Sequence, residues 1–304
     1  MTEKPGFNVH LPDLQTLDKI KEANIPWIRC DFNWYILEPE PGVFDFSRTD
    51  SIVNFCKENG ISVFPMIGYT PGWANGNRGI NHLPDDLSRW TNFVSRVANH
   101  YKNDIQVWGI WNEPNLPEFF QGSMQDYVDK IFIPASQVIK NLDSRLKVAT
   151  PEIATLVSGD WWKWLDRFAG LAGHYDVLAL HCYAKDGRTT INYIEKGRWP
   201  RWINWLSGLL NLFYPGNQAI KNKLKNIERE KWLTETGWKS NAVGEESQRL
   251  YYEDMVNYLE NSSVFQKVFF YEIIDDPNFD QKWGVLRSDY SEKPAYQYIK
   301  SLGR

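Results

Sequence analysis

The sequence contains few cysteines and no long apolar stretch. Cys30, Cys56 and Cys182 are the three cysteines of the 304-residue chain, too few and too scattered for a disulfide framework or a zinc site. No run of about 18 apolar residues occurs, and the first residues lack the basic region and apolar run of an export signal. We therefore expect buried free thiols and no transmembrane segment, and the localisation stays open.

Strong charge and the common cofactor motifs are absent as well. With 34 basic and 38 acidic residues the formal net charge is -4, and no run of about five like charges gives a basis for binding nucleic acid or anionic membranes. The five histidines show no His-x-His or His-Glu-x-x-His spacing, and no Gly-x-Ser-x-Gly motif occurs. We therefore expect no metal, no cofactor and no serine-hydrolase chemistry.

Aromatic residues, in contrast, are abundant. The chain has 15 tryptophans, 15 tyrosines and 16 phenylalanines. Flat apolar faces with polar edges stack well on sugar rings, and a small neutral substrate suits the nearly balanced charge. The composition therefore favours a carbohydrate ligand, although packing of the core is an alternative use for most of these rings.

Short apolar strands alternate with amphipathic helices eight times along the chain. Strands that are apolar on both faces imply a parallel sheet covered by helices, and eight such units in roughly 300 residues are typical of a (β/α)8 barrel. A doubly wound open sheet is the alternative, but no Gly-x-Gly-x-x-Gly or Walker loop follows the first strand. We predict an α/β fold with one (β/α)8 TIM-barrel domain over residues 1–304. The predicted strands lie in residues 6–10, 26–32, 61–69, 105–114, 146–151, 175–183, 231–235 and 265–272.

The connection after the sixth predicted strand is long and rich in aromatic residues. Residues 184–215 include Trp199, Trp202 and Trp205. Long insertions on the functional face of a barrel often form lids or cleft walls, and we predict that role here. A segment for a membrane surface or a partner protein is the alternative, which the scarcity of basic residues after position 201 disfavours.

Polar side chains close most of the predicted strands. Because the carboxyl-terminal ends of barrel strands converge on one face, we expect these residues to be neighbours although they are far apart in sequence. The set comprises His10, Arg29, Asp31, Tyr69, Glu113, His181, Tyr183, Glu235, Tyr271 and Glu272.

The fourth and seventh predicted strands both end in a glutamate, Glu113 in Trp-Asn-Glu-Pro and Glu235 in Thr-Glu-Thr-Gly. Hydrolysis of a glycosidic bond needs a proton donor for the leaving oxygen and a group that captures the anomeric carbon, and two carboxyls supply both. A separation of about 5–5.5 Å predicts retention of configuration, and about 6.5–9.5 Å predicts inversion. The alternative for Glu113 alone is a helix cap or a surface ion pair.

Both motifs resemble those of the clan A retaining glycoside hydrolases, which carry glutamates on strands four and seven. Residues 68–74 (Gly-Tyr-Thr-Pro-Gly-Trp-Ala) are most similar to glycoside hydrolase family 39, with the cellulase-type family 5 next. The resemblance covers nearly the whole chain. Further agreement lies in residues 28–34, 37–46, 181–183, 283–286 and 293–296.

The resemblance implies roles for the residues of these motifs. Glu113 would be the general acid and base, and Glu235 would be the nucleophile. Arg29 and Tyr183 would hold Glu235 ionised by charge and hydrogen bonding. Asn112 would bind the sugar 2-hydroxyl, a contact that strengthens at the transition state.

Other residues carry two interpretations each. His181 would orient Glu113 or bind sugar, or it is a core histidine; Arg29 has the alternative of an ion pair with Asp31. Glu272 would bind a sugar hydroxyl or a basic neighbour. Tyr271 stands where many clan members have a tryptophan at the floor of the site. Trp73, Trp111 and Trp283 would stack on sugar or pack in the core. The remaining candidates for contact with sugar are His10 and Tyr69.

We therefore predict a monomeric retaining β-glycoside hydrolase that acts on oligo- or polysaccharides. An exo-acting β-glycosidase of xylosidase or glucosidase type and a transglycosylase, both using the same glutamate pair, are alternatives. A carbohydrate-binding barrel without activity is a further alternative, since a fold does not prove turnover.

Overall fold

The computed structural model describes residues 5–155, 160–194, 217–262 and 264–302, except for the side chains of residues 217–221. Nine strands in these ranges form one parallel sheet in the order β5-β4-β3-β2-β1-β9-β8-β7-β6. The strands are β1 (Gly6–His10), β2 (Trp27–Asn33), β3 (Ser62–Gly68), β4 (Val107–Ile110), β5 (Lys147–Val148), β6 (Ile153–Ala154), β7 (Val177–His181), β8 (Glu230–Thr236) and β9 (Lys267–Phe270).

The sheet closes into a barrel because β5 and β6 are two pieces of one strand position. β5 pairs with β4, β6 pairs with β7, and a parallel bridge joins Ala149 to Val177 between them. Pro151 lacks the backbone N–H that a continuous ladder would need, and the strand is interrupted there. The nine segments therefore occupy eight barrel positions. The predicted (β/α)8 fold is confirmed, with its fifth strand divided.

Helices cover the outside of the barrel. Asp13 and Asp86 accept hydrogen bonds from backbone N–H groups of the first helical turns that follow them, which stabilises both helix starts. The helices are α1 (Leu14–Glu22), α2 (Trp34–Leu37), α3 (Ser47–Glu58), α4 (Leu87–Tyr101), α5 (Met124–Asp126), the π-helical segment Tyr127–Phe132, α6 (Ile133–Leu142), α7 (Trp161–Ala169), α8 (Gly187–Ile194), α9 (Asn217–Asn226), α10 (Ser240–Val243), α11 (Glu245–Asn261) and α12 (Pro294–Ser301).

None of the helices in the described ranges combines the length and the hydrophobicity that crossing a bilayer requires. The predicted absence of a transmembrane segment therefore holds for this part of the chain. Cys30, Cys56 and Cys182 are free and buried, as expected.

Large side chains fill the amino-terminal half of the barrel interior. Trp232 packs edge-on against Trp27 and Phe64, with ring centroids 5.4 and 5.3 Å apart. Inward-facing positions alternate along β2, so Trp27 lies at the bottom and Arg29 one layer higher. The chemistry of the barrel is thereby confined to its carboxyl-terminal mouth, as in other barrels of this type.

The predicted insertion is only partly described. Its first residues form α8, which packs on α11. The two helices approach so closely at Gly187 that a Cβ added there would lie 2.6 Å from the carbonyl oxygen of Tyr251. Residues 195–215, with the tryptophans that motivated the lid, lie outside the described residues. The lid and the single domain over residues 1–304 stay predictions.

Candidate active site

Glu113 reaches the barrel mouth through an irregular turn that follows β4. Trp111 and Glu113 have positive φ angles of 66° and 42°, a backbone region that non-glycine residues rarely adopt and that is enriched at functional sites. The backbone N–H of Glu113 donates to the carbonyl oxygen of Glu152 at 3.0 Å. The turn directs Glu113 inward, while the Trp111 ring is fully buried and packs in the core.

Glu235 faces the same mouth because β8 contains an extra residue near its end. The register of β8 shifts against β7 after Leu180 and against β9 after Leu233, as in a β-bulge, which re-aims the side chains that follow it. The Tyr183 hydroxyl donates to Glu235 Oε2 at 2.7 Å, and Arg29 Nη1 lies 3.0 Å from Glu235 Oε1. Each oxygen of this carboxylate therefore has its own donor.

His181 lies between the two glutamates. Its Nδ1 atom is 2.7 Å from Glu113 Oε1 and 3.4 Å from Glu235 Oε2. One oxygen of each glutamate and one ring nitrogen lie within 4.8 Å of one another. Such a short approach of two carboxyls is typical of retaining glycosidases rather than inverting ones, which leave room for a water molecule.

Burial and neighbouring charges shift the pKa values of this group. Burial raises the pKa of Glu235, and the nearby Glu113 adds to the rise, although His181 and Arg29 oppose it. Burial disfavours the charged imidazolium, but Glu235 and Glu113 outweigh this and raise the pKa of His181. Burial, with Glu235 beside it, raises the pKa of Tyr183 well above its usual range, so its hydroxyl stays protonated as a donor.

These side chains also offer three metal-ligand atoms, from Glu113, His181 and Glu235. The ring nitrogen that would serve a cation already shares a hydrogen with Glu113, and an ion ligand must be the deprotonated, neutral imidazole. The donor set therefore suits proton transfer better than metal binding. The expected absence of a metal stays a prediction.

Arg29 links the glutamates to the barrel interior. Its Nε donates to Glu152 Oε1 at 2.8 Å and its Nη2 pairs with Glu152 Oε2. Nη1 donates to Asn8 Oδ1 and Nη2 donates to Asn112 Oδ1, both at 2.7 Å. The side-chain oxygen of Asn112 is thereby fixed, so its amide nitrogen remains as the donor of this side chain. The alternative ion pair of Arg29 with Asp31 is wrong, because the carboxylates that Arg29 pairs with are Glu152 and Glu235.

Asn8 and Glu152 were missed by the sequence interpretation. Asn8 alternates with His10 in β1, so a polar residue facing the interior was visible as a signal. Glu152 directly follows Pro151 at the end of a short apolar strand, which is the same pattern that singled out Glu113. The signal at Glu152 was obscured because the strand position is divided.

A second charged cluster closes the ends of β1, β2 and β9. His10 Nδ1 lies 2.9 Å from Asp31 Oδ2, and His10 Nε2 lies 3.3 Å from Glu272 Oε2. Burial opposes protonation, but the two carboxylates outweigh it and raise the pKa of His10 to about 10. The His10 side chain is 49% exposed, so the cluster is accessible from the mouth. We call these three residues the His10 cluster.

Aromatic rings form a wall beside Glu235. Tyr183 and Trp283 have centroids 5.3 Å apart, and Tyr271 lies 5.8 Å from Trp283 and 6.3 Å from Tyr183. The Lys239 Nζ atom lies 4.9 Å from the centroid of the Trp283 ring. Tyr271 therefore lies at the barrel mouth near Glu235, the residue expected to be the nucleophile.

Tyr69 and Trp73 differ in their placement. The Tyr69 ring lies 5.5 Å from that of Trp111, and its hydroxyl hydrogen-bonds with Asn112, so it belongs to the site. The Trp73 Nε1 atom donates to the carbonyl oxygen of Glu38 at 3.0 Å. Trp73 also contacts the ring of Trp34 and the guanidinium of Arg89, and none of these contacts involves the two glutamates.

A closed (β/α)8 barrel with two facing glutamates at its mouth is the architecture of the barrel-type glycoside hydrolases. The family model for glycosyl hydrolases family 39 matches residues 21–204, more than half of the chain. The chain belongs to this family. The resemblance noted in the sequence is thereby confirmed.

Curated relatives match the chain over part of their length. A Beta-xylosidase of Caldicellulosiruptor saccharolyticus is 31% identical over 159 residues, which are 47% of this chain and 32% of the relative. A Beta-1,4-xylanase of Dictyoglomus thermophilum is 30% identical over 118 residues, 34% of this chain and 32% of the relative. The matched part thus spans about a third of each relative.

Solved structures share the fold over nearly the whole chain. A family 39 glycoside hydrolase from Bacteroides cellulosilyticus WH2 has a TM-score of 0.72 at 22% identity, covering 99% of this chain and 64% of that chain. A monomeric beta-xylosidase from Caulobacter crescentus CB15 has a TM-score of 0.71 at 16% identity, covering 99% of this chain and 68% of that chain.

Proposed function

We propose that this chain hydrolyses β-glycosidic bonds with retention of configuration, with Glu235 as nucleophile and Glu113 as general acid and base. The observation that carries the proposal is the approach of these two carboxyls, whose oxygens lie within 4.8 Å of each other and of His181. Of the two glutamates, only Glu235 receives the donors Arg29 and Tyr183. This asymmetry supports Glu235 as the nucleophile, because donors to a carboxylate favour its ionised form.

In the first step, a Glu235 oxygen attacks the anomeric carbon while the bond from that carbon to the leaving oxygen breaks. Glu113 transfers its proton to the leaving oxygen, and a covalent glycosyl ester forms on Glu235. The negative charge of Glu235 is consumed as the ester forms, and that of Glu113 appears. His181, whose Nδ1 lies 2.7 Å from Glu113, stabilises the new carboxylate.

In the second step, Glu113 acts as a base toward water. It takes a proton as the water oxygen attacks the anomeric carbon, and the ester bond to Glu235 breaks. Two displacements at one carbon return the original configuration. Arg29 and Tyr183 receive the regenerated Glu235 carboxylate with the same two hydrogen bonds, so little reorganisation is needed.

The substrate class follows from the relatives and from the groups around the mouth. The names of the matched relatives, a beta-xylosidase and a beta-1,4-xylanase, support a β-linked xylose unit. Asn112 would bind the 2-hydroxyl, and the His10 cluster would bind further hydroxyls, since carboxylates beside an imidazolium offer acceptors and donors at once. Tyr271 and Trp283 would contact the faces of the sugar.

Exo action on xylo-oligosaccharides is the first candidate, and endo cleavage of xylan is the second, favoured by the xylanase among the relatives. The monomeric state stays a prediction. Aryl β-xyloside, xylobiose and xylan assays with product analysis test the proposal. If NMR detects β-configured xylose as the first product, before mutarotation, the result supports retention of configuration. An α-configured first product, or no turnover of any β-glycoside by a folded protein, overturns the proposal.

A new glycoside as the main product would instead indicate a transglycosylase. Glu113→Ala tests the role of the acid, and Glu118→Ala, at a glutamate in the same β4-α5 connection, is its matched control. Glu118 is exposed, and its backbone carbonyl accepts a hydrogen bond from Asn81 Nδ2, so its side-chain variant should keep wild-type activity.

A further inference from the structure

Glu152 is a third carboxylate in the centre of the site. It is fully buried and lies in the interruption between β5 and β6. Both of its oxygens pair with Arg29, and its Oε2 is 4.0 Å from His181 Nε2. Its backbone carbonyl accepts the N–H of Glu113. Glu152 therefore lies beside Arg29, which pairs with Glu235, and beside His181, which pairs with Glu113.

The charges around His181 do not balance without a proton on the ring. The imidazole faces the carboxylates of Glu235 and Glu152 and the carboxyl of Glu113, the proton donor of the first step, and the cation beside them is Arg29. Because Glu152 engages Arg29 in a two-point ion pair, the Arg29 charge is shared and only partly compensates Glu235. Tyr183 and Tyr127 also face this group, and burial keeps both phenols neutral.

We propose that Glu152 is a positioning residue that keeps His181 protonated, so that an imidazolium lies between the two glutamates. Its consequence for catalysis rests on the proposed function. The His181 Nε2 atom, which has no hydrogen-bond partner among the described residues, faces Glu152. The opposite ring nitrogen then always carries its hydrogen toward Glu113 and Glu235.

This arrangement has a definite effect on both steps. The imidazolium stabilises the Glu113 carboxylate that forms when the leaving oxygen is protonated. It also helps to keep Glu235 ionised, against the burial that raises the Glu235 pKa. Without the negative charge of Glu152, the positive charge of Arg29 would neutralise that of Glu235. The site would then no longer favour a second proton on the His181 ring, and the pKa of His181 would fall.

The test is a pH titration of the His181 imidazole by NMR, in the wild type and in Glu152→Gln. Comparison with a His181→Asn spectrum assigns the signal among the five histidines. We expect His181 to be charged at pH 7 in the wild type. In Glu152→Gln its pKa should fall by about one pH unit or more, because one unit charge at this distance changes the pKa on that scale.

A matched control is Asp275→Asn, which removes another buried carboxylate that pairs with a cation, Lys293, at 2.8 Å. Asp275→Asn should leave the His181 titration unchanged, and Glu152→Asp should restore most of the wild-type value. A neutral His181 in the wild type at pH 7 overturns the proposal even if Glu152→Gln does not fold. An unchanged titration in folded Glu152→Gln overturns it as well.

Kinetics give a second, separate readout. The pH profile of kcat/KM for Glu152→Gln should move to lower pH as a whole, with kcat affected more than KM. Absence of hydrolysis by the wild type would contradict the proposed function and leave the titration result standing. A normal pH profile together with an unchanged titration would instead contradict only the role of Glu152.

Discussion

The Tyr183 hydroxyl donates to Glu235 Oε2 at 2.7 Å. The phenol keeps its proton because burial raises its pKa well above the usual range, so the donor is permanent over the working pH range. A hydrogen bond of this kind stabilises the charged form of the carboxylate and lowers its pKa. Tyr183 and Arg29 both favour the ionised form of Glu235, the proposed nucleophile.

Tyr183→Phe should therefore raise the pKa of Glu235 and slow the reaction. Because Glu235 must be ionised to attack, we expect the acidic limb of the kcat/KM profile to move to higher pH. The rate at neutral pH should fall about 10- to 100-fold, as for loss of one hydrogen bond to a charged group. Tyr193→Phe is the control in the adjacent α8, and it should leave the limb in place. An unmoved limb in Tyr183→Phe would exclude this role.

Glu113→Ala should affect substrates according to their leaving groups. An aryl xyloside with an acidic phenol needs no protonation, so its first step should be nearly unchanged. A substrate with an alkoxide leaving group should lose about 10²- to 10⁴-fold in kcat/KM, the usual contribution of general acid catalysis. Steady-state kinetics across a leaving-group series check this. Equal losses for all leaving groups would argue against Glu113 as the acid.

Arg29→Lys should destabilise the protein although it preserves the charge. A lysine lacks the planar fork that pairs with both Glu152 oxygens and with Asn8. We expect the free energy of unfolding in urea to fall by about 3 kcal/mol, as when a buried ion pair loses a partner. Arg145→Lys, at a surface pair whose arginine side chain is 85% exposed, should change it by less than about 0.5 kcal/mol. Equal effects of both variants would contradict the network.

The His10 cluster should make stability depend on pH. The pKa of His10 is raised from 6.5 to about 10 by Asp31 and Glu272, against the effect of burial. A raised folded-state pKa contributes stability that is fully present below about pH 6.5 and is lost as the pH rises through about 10. The difference in unfolding free energy between the wild type and His10→Gln should therefore shrink from pH 6 to pH 10. His100→Gln is the surface control. A difference that stays constant with pH would refute the cluster.

Much of the site could be predicted because a barrel converts strand ends into neighbours. Glu113 and Glu235 each follow a short apolar strand, and their convergence requires only the topology. The contacts of Tyr183 and Arg29 with Glu235 were expected from the resemblance to the clan A enzymes. The apolar pattern was also sufficient to place eight strand positions, including the fifth, which Pro151 divides.

Other features depend on geometry that no local pattern encodes. The bulge near the end of β8 decides that Glu235 faces inward, and an extra residue in a strand leaves no mark in the hydrophobic pattern. Partner choice was equally hidden. The sequence offers both Asp31 and Glu152 as ion-pair partners for Arg29. In the structure Asp31 pairs with His10 and Glu152 pairs with Arg29, because the carboxylates lie in different side-chain layers of the barrel.

The most direct test of the account is Glu235→Ala with added azide. If Glu235 is the nucleophile, azide fills the space of the lost carboxylate, attacks the same face of the anomeric carbon and gives an α-glycosyl azide of inverted configuration. NMR identifies this product from an activated aryl β-xyloside. Glu113→Ala with azide should give the β-azide instead. An inverted azide from Glu113→Ala, with none from Glu235→Ala, would contradict the assignment of both glutamates.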